Sequence, residues 1–187
     1  MANNALPHMR NSQASNNSWE PVVGSQFQCY LMPPSGVSDA TILTEHVRSV
    51  SDSFFTEYQG NVLEQNGFQT TQRRYDSNQK QNGGTFQIVF SLNLNDSNDN
   101  YVYRIIREWF RKKWNPTTGT RGLKKDYIGQ ITVVKYNRDG SIYQQRTASF
   151  CFPSGDLQGL EANYGSNDPQ ELTVEFTADI IEDDAEN

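Results

Sequence analysis

The histidines and cysteines are the first residues to consider as nucleophiles, bases or metal ligands. His8 lies in a segment rich in Asn, Ser and Gln, and His46 has no recognisable Ser or Cys nucleophile motif beside it. Metal ligation needs clustered Cys, His or carboxylate groups, and Cys29 and Cys151 have no such neighbours. Without an export signal, both cysteines are expected to be reduced and partly buried. The sequence therefore predicts no catalytic or metal-binding residues, no cofactor and no enzyme activity.

Two further segments have some features of ligand-binding loops, and each departs from its motif at a required residue. Residues 96–100, Asp-Ser-Asn-Asp-Asn, place oxygen atoms at positions 1, 3 and 5 of a calcium loop. However, Tyr101 stands where that loop needs glycine, and Arg107 stands where it needs a bidentate glutamate. We interpret these residues as helix caps. Residues 119–125, GTRGLKK, lack the spacing of a phosphate loop and are interpreted as a solvated loop, or else as a charged contact with a partner.

An amphipathic helix is predicted over residues 98–115, and Pro116 ends it. Its apolar positions, spaced as one helix face, are Val102, Ile105, Ile106, Trp109 and Phe110. Its opposite face carries the basic residues Arg104, Arg107, Arg111 and Lys112. Such a face beside aromatic residues is one way to bind nucleic acid. The net charge of −6 favours the alternative, an exposed face of an ordinary amphipathic helix.

The composition indicates one domain with short tails. The chain has 187 residues, and its 35% hydrophobic and 12% aromatic residues are enough for one core. Eight of the sixteen basic residues lie within 104–125, whereas the last eighteen residues hold seven acids and no base. Complementary charges of this kind suit self-association. We expect a flexible arm at 1–18, a domain at 19–181 and an acidic tail at 182–187, with no signal peptide or membrane anchor and a place in the cytosol.

The rest of the domain is predicted to be mainly β-strand. The clearest strand runs from Gly84 to Leu94, where apolar and polar residues alternate, and the helix is expected to cover its apolar face. Further strands are expected at 25–32, 41–50, 54–59, 127–136, 141–152 and 170–181. Residues 60–84, rich in Asn and Gln, are predicted to form a long loop, which is usually functional or disordered. The result is a β-sandwich or barrel of antiparallel sheets with one flanking α-helix.

Four segments in this order carry a resemblance to a known family. They are the helix YRIIREWF (103–110), the hairpin turn KYNRDGSIY (135–143), the segment FCFPSGDLQGLEANYGSND (150–168) and the closing strand QELTVEFTADI (170–180). Their order resembles that of the tail tube proteins of contractile-tailed bacteriophages, which are related to the tubes of type VI secretion and other contractile injection systems. The resemblance covers residues 27–181 and depends on order and pattern, because such tubes have no catalytic motif.

The resemblance implies a structural virion protein. Six copies would close into a ring whose inner strands form a continuous β-barrel around a lumen, and stacked rings would form the tail tube, assembled in the bacterial host cytoplasm. The tube would conduct DNA into the host cell. The implied partners are further copies of the chain, the contractile sheath, and baseplate and tail-terminator proteins. The tape measure protein and DNA would pass through the lumen without specific binding.

Three sets of residues have expected roles in such a tube. Lumen-facing positions are Thr85, Gln87, Ser91, Asn93, Glu171, Thr173 and Glu175. Ring-to-ring contacts are assigned to Phe68, Arg73, Arg74 and Tyr75. Arg104, Arg107, Arg111 and Lys112 are expected to face the sheath or a neighbouring subunit. Two alternatives stay open: a tube-terminating, baseplate-tube or injection-system tube protein, and a nucleic-acid-binding module that uses the basic helix.

Overall fold

The computed structural model describes most of the domain predicted from the sequence. It covers residues 24–37, 40–56, 58–66, 72–80, 83–92, 102–137, 139–157 and 169–183. For residue 40 and for residues 58–66 and 72–80, only the backbone is described. The predicted arm at 1–18 and most of the acidic tail, together with Phe68 and Asn93, lie outside these ranges.

Strands make up most of the regular structure. They are β1 (Phe27–Met32), β2 (Val47–Val50), β3 (Tyr58–Asn66), β4 (Gln72–Lys80), β5 (Gly84–Ser91), β6 (Trp114–Asn115), β7 (Thr120–Arg121), β8 (Gly129–Tyr136), β9 (Ile142–Ser154), β10 (Glu171–Ala178) and β11 (Ile180–Asp183). The helices are α1 (Ala40–Glu45), α2 (Val102–Lys113) and α3 (Lys124–Tyr127), with a 3-10 helix at Asp52–Phe55. The predicted mainly β fold with one long helix is confirmed.

One seven-stranded antiparallel sheet dominates the fold. Its order is β1-β8-β9-β10-β5-β2, and β11 pairs with β9 beside this path. The sheet is open, because β1 and β2 lie at its two ends and do not pair with each other. Side chains of β8 and β5, such as Ile131 and Ile88, nevertheless belong to the same buried core. The two halves of the sheet therefore enclose one hydrophobic core, as in a sandwich.

Strand β9 connects the two halves. Its first part pairs with β8 and β11, and its last three residues pair with β10. Between these parts Phe150 is an extra residue, because Cys151 pairs with Gly129 and Ser149 pairs with Gln130. Phe150 has a φ of 54°, which is uncommon for a bulky side chain. An extra residue of this kind is a β-bulge that bends its strand, and here it lies where β9 passes from one half to the other.

An aromatic series runs through the core and includes helix α2. The ring centroids of Phe54 and Phe86 are 4.8 Å apart, those of Phe86 and Phe176 are 6.0 Å apart, and those of Phe176 and Trp109 are 5.5 Å apart. Four residues on the apolar face of α2 are fully buried: Val102, Ile105, Ile106 and Trp109. The predicted apolar face of the helix is confirmed. The helix was expected to cover β5, but the ring of Trp109 contacts Phe176 of β10, the strand beside β5.

Two predictions about the first half of the chain were wrong. Residues 41–50 were expected to be extended, but 40–45 form α1 and only 47–50 form a strand. Leu43 is buried in the core, and the Thr44 hydroxyl accepts a 3.3 Å hydrogen bond from the Leu31 backbone N–H. Tertiary contacts of this kind override the β-propensity of Thr, Ile and Val. Likewise, the strand predicted at 54–59 begins as the 3-10 helix.

The predicted loop at 60–84 also has a different structure. Strands β3 and β4 pair along their whole length, from Tyr58 opposite Lys80 to Asn66 opposite Gln72. They form a separate two-stranded sheet that pairs with no other described strand. At the other end of the chain, Glu182 and Asp183 belong to β11, so the predicted acidic tail begins within a strand.

Candidate functional site

Of the residues predicted to face a lumen, the six that the structure describes (all but Asn93) lie together on one side of β5 and β10. In the register of these strands, Glu171 is opposite Ser91, and Glu175 is opposite Gln87. Thr173 is opposite Val89, which interrupts the polar surface. On the other side of the same strands, side chains such as those of Ile88 and Val174 are buried in the core. The sheet therefore has one apolar and one polar face, as the alternation in the sequence predicted.

Hydrogen bonds connect polar side chains across this face. The Thr85 and Thr177 hydroxyl oxygens are 3.4 Å apart, and the Thr177 hydroxyl donates to the Ser154 oxygen at 2.8 Å. The Ser154 hydroxyl in turn donates to Glu175 Oε1 at 3.2 Å. Because these bonds link β5, β10 and the end of β9, they fix the orientation of the polar side chains. We name the exposed side of β2, β5 and β10, together with Ser154 at the end of β9, the polar face.

The polar face carries few charges. The charged residues of β2, β5 and β10 are Arg48, Glu171 and Glu175. Arg48 and Glu171 form an ion pair in which both side chains are substantially exposed. An exposed pair of this kind contributes about 0–1 kcal/mol to stability, but it neutralises one of the two carboxylates. The sequence pattern identified the carboxylates but not Arg48, because it does not separate β2 from the segment before it.

The basic residues of α2 lie on the side of the helix away from the core. Arg104, Arg107 and Arg111 are exposed, and Lys112 is half-buried. Arg104 Nε is 3.4 Å from Glu108 Oε1, one helical turn away. The Lys112 ammonium donates a 3.2 Å hydrogen bond to the Ser35 carbonyl and so ties the helix to the segment after β1. The expected role of these residues at a partner surface stays a prediction.

The predicted ring-to-ring residues are only partly described. Arg73, Arg74 and Tyr75 are in β4, opposite Gln65, Glu64 and Leu63 of β3. Their side chains, and all of Phe68, lie outside the described part of the structure. Their assignment to a contact between rings therefore stays a prediction.

Arg146 is a buried charged residue that was not predicted from the sequence. It lies on β9 and is 1% exposed. Its Nη1 donates a 3.1 Å hydrogen bond to the Phe54 carbonyl, and its Nε is 4.0 Å from Asp183 Oδ2 of β11. Gln144 also donates to Asp183, at 3.2 Å. The sequence feature that could have indicated its burial is its position in β9, two residues from Ala148, because such residues face the same side of a strand.

Within the described residues, the cysteine thiols are buried, and the potential metal ligands are dispersed. Cys29 and Cys151 are free and buried, and burial raises the pKa of each thiol to about 12. A thiol with so high a pKa is a poor nucleophile, because the thiolate is the reactive form. Within the described ranges, no group of three or more His, Cys, Asp or Glu residues is placed to hold a metal ion. None of the described helices has the length and apolarity needed to cross a membrane.

Comparisons with known proteins identify the fold. No protein-family model and no curated protein sequence matches this chain. Among solved structures, a chain of the PVC extracellular contractile injection system sheath–tube complex in its extended state matches with a TM-score of 0.56 and 15% identity, over 89% of this chain and 94% of that one. A chain of the anti-feeding prophage tube-terminating cap matches with a TM-score of 0.55 and 13% identity, over 87% and 90%.

A third match points to the same group of assemblies. A chain of the PVC sheath/tube terminator in its extended state has a TM-score of 0.53 and 14% identity, over 88% of this chain and 97% of that one. Sequence identity this low establishes the fold alone. The chain therefore has the fold of proteins found in the tubes, caps and terminators of contractile injection systems, over nearly its whole length.

Proposed function

We propose that this chain is the subunit of the tube of a contractile tail or injection machine. Six copies close into a ring, rings stack into a tube, and a contractile sheath surrounds it. The observation that carries this proposal is the polar face: one half of an open sheet buries its inner side in the core and presents hydroxyl, amide and carboxylate groups on the other. The match to a chain of a sheath–tube complex over 89% of this chain supports the same role.

The open edges of the sheet support ring closure. Strand β2 ends one half of the sheet, and the last three residues of β9 lie on the other side of β10. Unpaired strand edges expose N–H and C=O groups that favour pairing with another chain. When six copies are joined at these edges, β2, β5, β10 and the end of β9 of each copy form one barrel, and the polar face lines its lumen. The lumen residues are then Thr85, Gln87, Ser91, Asn93, Glu171, Thr173 and Glu175.

The charges of the polar face suit a conduit. A lining rich in Lys and Arg would bind DNA by counterion release, and each added phosphate contact would slow its passage. On the polar face Arg48 is paired with Glu171, and the second acidic residue, Glu175, accepts a hydrogen bond from Ser154. We infer that DNA and the tape measure protein of a bacteriophage tail pass without specific binding. The basic side of α2 then lies outside the barrel, where Arg104, Arg107, Arg111 and Lys112 meet the sheath or a neighbouring subunit.

Electron microscopy of the purified full-length chain tests this function. Long tubes of uniform diameter with six-fold symmetry are expected after concentration. Single hexameric rings that never stack would favour a tube-terminating protein, a role supported by the matches to a tube-terminating cap and a tube terminator. A monomer that binds DNA with strong salt dependence would instead indicate a nucleic-acid-binding module. Particles with neither rings nor tubes would contradict the proposal.

A further inference from the structure

The exposed large apolar side chains are concentrated at two opposite ends of the β8–β9 pair. Ile142 and Tyr143 are 57% and 54% exposed and lie where β9 begins, beside Tyr136 at the end of β8. At the other end, near Gly129, the exposed residues are Met32 (60%), Trp114 (50%), Leu123 (64%) and Phe150 (48%). Tyr30, at 40%, is the remaining member of this group in the described ranges and lies between the two ends. Solvent-exposed apolar groups collected in this way mark interaction sites.

The first of these ends is a hydrogen-bonded hairpin turn, in which we define residues 139–143 as the tip. The Asn137 N–H donates to the Ser141 carbonyl at 2.8 Å, and the Gly140 N–H donates to the Asn137 carbonyl at 3.0 Å. The Asp139 carboxylate accepts hydrogen bonds from the Ser141 N–H at 2.9 Å and from its hydroxyl at 2.6 Å. These hydrogen bonds from Ser141 lower the pKa of Asp139. The tip therefore presents Ile142 and Tyr143 next to an anionic group.

The second end contains a cleft of about 510 Å³ between β6, β7 and the end of β9. Its aromatic walls are Trp114, Tyr127 and Phe152, and Lys113 and Arg121 provide its cationic groups. Tyr127 and Phe152 contact each other edge to face, with ring centroids 5.4 Å apart. Arg121 is exposed, whereas Lys113 donates a 3.3 Å hydrogen bond to the Pro153 carbonyl. We name these five residues the aromatic cleft.

We propose that the tip of one copy inserts into the aromatic cleft of the next copy, so that Ile142 and Tyr143 form an axial contact between successive rings. The contact rests on the proposed tube function and adds a second, apolar attachment to the one assigned to β3 and β4. The eight residues of β8 separate the tip from the cleft by about 25 Å. Because the tip and the aromatic cleft lie at opposite ends of one chain, their contact is heterologous, and such a contact can repeat without limit along an axis.

The chemistry of the two surfaces supports a second copy as the occupant. A tyrosine beside an isoleucine can bury apolar area against tryptophan and phenylalanine, and aromatic anchors of this kind dominate binding energy at interfaces. The Asp139 carboxylate would approach the cationic rim at Arg121. Each buried side chain is expected to contribute about tenfold or more to the association constant. Because every subunit of a ring repeats the contact, these factors multiply.

The test compares Tyr143→Ser and Trp114→Ser with the matched control Tyr30→Ser in the full-length chain. Each changes an exposed aromatic residue, so urea denaturation should give folded proteins of similar stability. Expected for Tyr143→Ser and Trp114→Ser is a rise of about tenfold or more in the concentration needed for tubes, with single rings retained. The control should form tubes as the unaltered chain does. A further variant, Tyr143→Cys with Arg121→Cys, should yield a ladder of covalent multimers on mild oxidation of tubes, and either cysteine alone should not.

The outcomes separate this contact from the proposed function. If the unaltered chain forms tubes and both serine variants form them at the same concentration, the axial contact is wrong and the tube function stands. If the unaltered chain forms only single rings, the axial contact is overturned and a terminating role is favoured. If it forms no assembly at all, both proposals fail. Both proposals are supported if the unaltered chain and the Tyr30→Ser control form tubes, whereas Tyr143→Ser and Trp114→Ser form rings that do not stack.

Discussion

The indole Nε1 of Trp109 donates a 2.7 Å hydrogen bond to the backbone carbonyl of Tyr127. This bond joins the buried side of α2 to the segment that leads into β8. Gly129, the first residue of β8, lies directly against it: a Cβ there would be 2.8 Å from the Trp109 ring and 2.5 Å from the Met32 carbonyl oxygen. Helix α2, β1 and β8 therefore meet closely at a position without a side chain.

Gly129→Ala is expected to lower the free energy of unfolding by about 1–3 kcal/mol, because overpacking at a backbone contact forces neighbouring elements apart. Urea denaturation followed by tryptophan fluorescence measures this change. Gly24→Ala is the matched control, because a Cβ at Gly24 has no atom within 4 Å. Equal unfolding midpoints for the two variants would show that Trp109 and Met32 can move aside at no cost.

The elements that the sequence predicted best are those in which one face is buried and the other is exposed. In β10, Leu172, Val174 and Phe176 are buried and alternate with half-buried or exposed polar residues. In α2, the buried residues recur at helical spacing. The hydrophobic pattern is a direct record of such one-sided burial. The same pattern also identified most residues of the polar face, because successive side chains of a strand alternate between its two faces.

The sequence did not predict features that depend on contacts remote in the chain. Strands β3 and β4 pair only with each other among the described strands, so neither carries a strong apolar alternation. The pairing of Arg48 with Glu171 and the aromatic cleft each require residues that are far apart in sequence. Pro153 was expected to lie beyond the end of β9, yet it pairs with Phe176 in β10. Proline is tolerated on an edge strand, and the last three residues of β9 form such an edge within the sheet of one subunit.

Removal of most of β3 and β4 tests the assignment of this pair to contact between rings. Residues 61–77 can be replaced by Asn-Gly, because Gly60 and Asn78 are opposite each other in the ladder. The shortened chain is expected to keep the circular dichroism and unfolding midpoint of the full chain. It is expected to form rings that do not elongate into tubes.

The control for this deletion replaces residues 61–77 with a Gly/Ser segment of equal length. It separates the loss of specific side chains, including Arg73, Arg74 and Tyr75, from a change in the length of the connection. Both altered chains should fail to elongate if these side chains make the contact. Normal tubes from the deletion variant would mean that β3 and β4 have another role.

Glu175→Lys is expected to turn the proposed lumen into a surface that retains DNA. The substitution removes the carboxylate that accepts a hydrogen bond from the Ser154 hydroxyl, and it places a cation on the polar face of every subunit of the proposed ring. Each cation that contacts a phosphate adds about 0.7 to the slope of log affinity against log salt for single-stranded DNA. Tubes of this variant should therefore bind short single-stranded DNA at low salt and release it as salt rises, whereas unaltered tubes should bind little. Glu108→Lys, which makes the same charge change on the outer side of α2, is the control for external binding. If the two variants bind DNA equally, and if capping the tube ends does not change this binding, Glu175 lies outside the lumen.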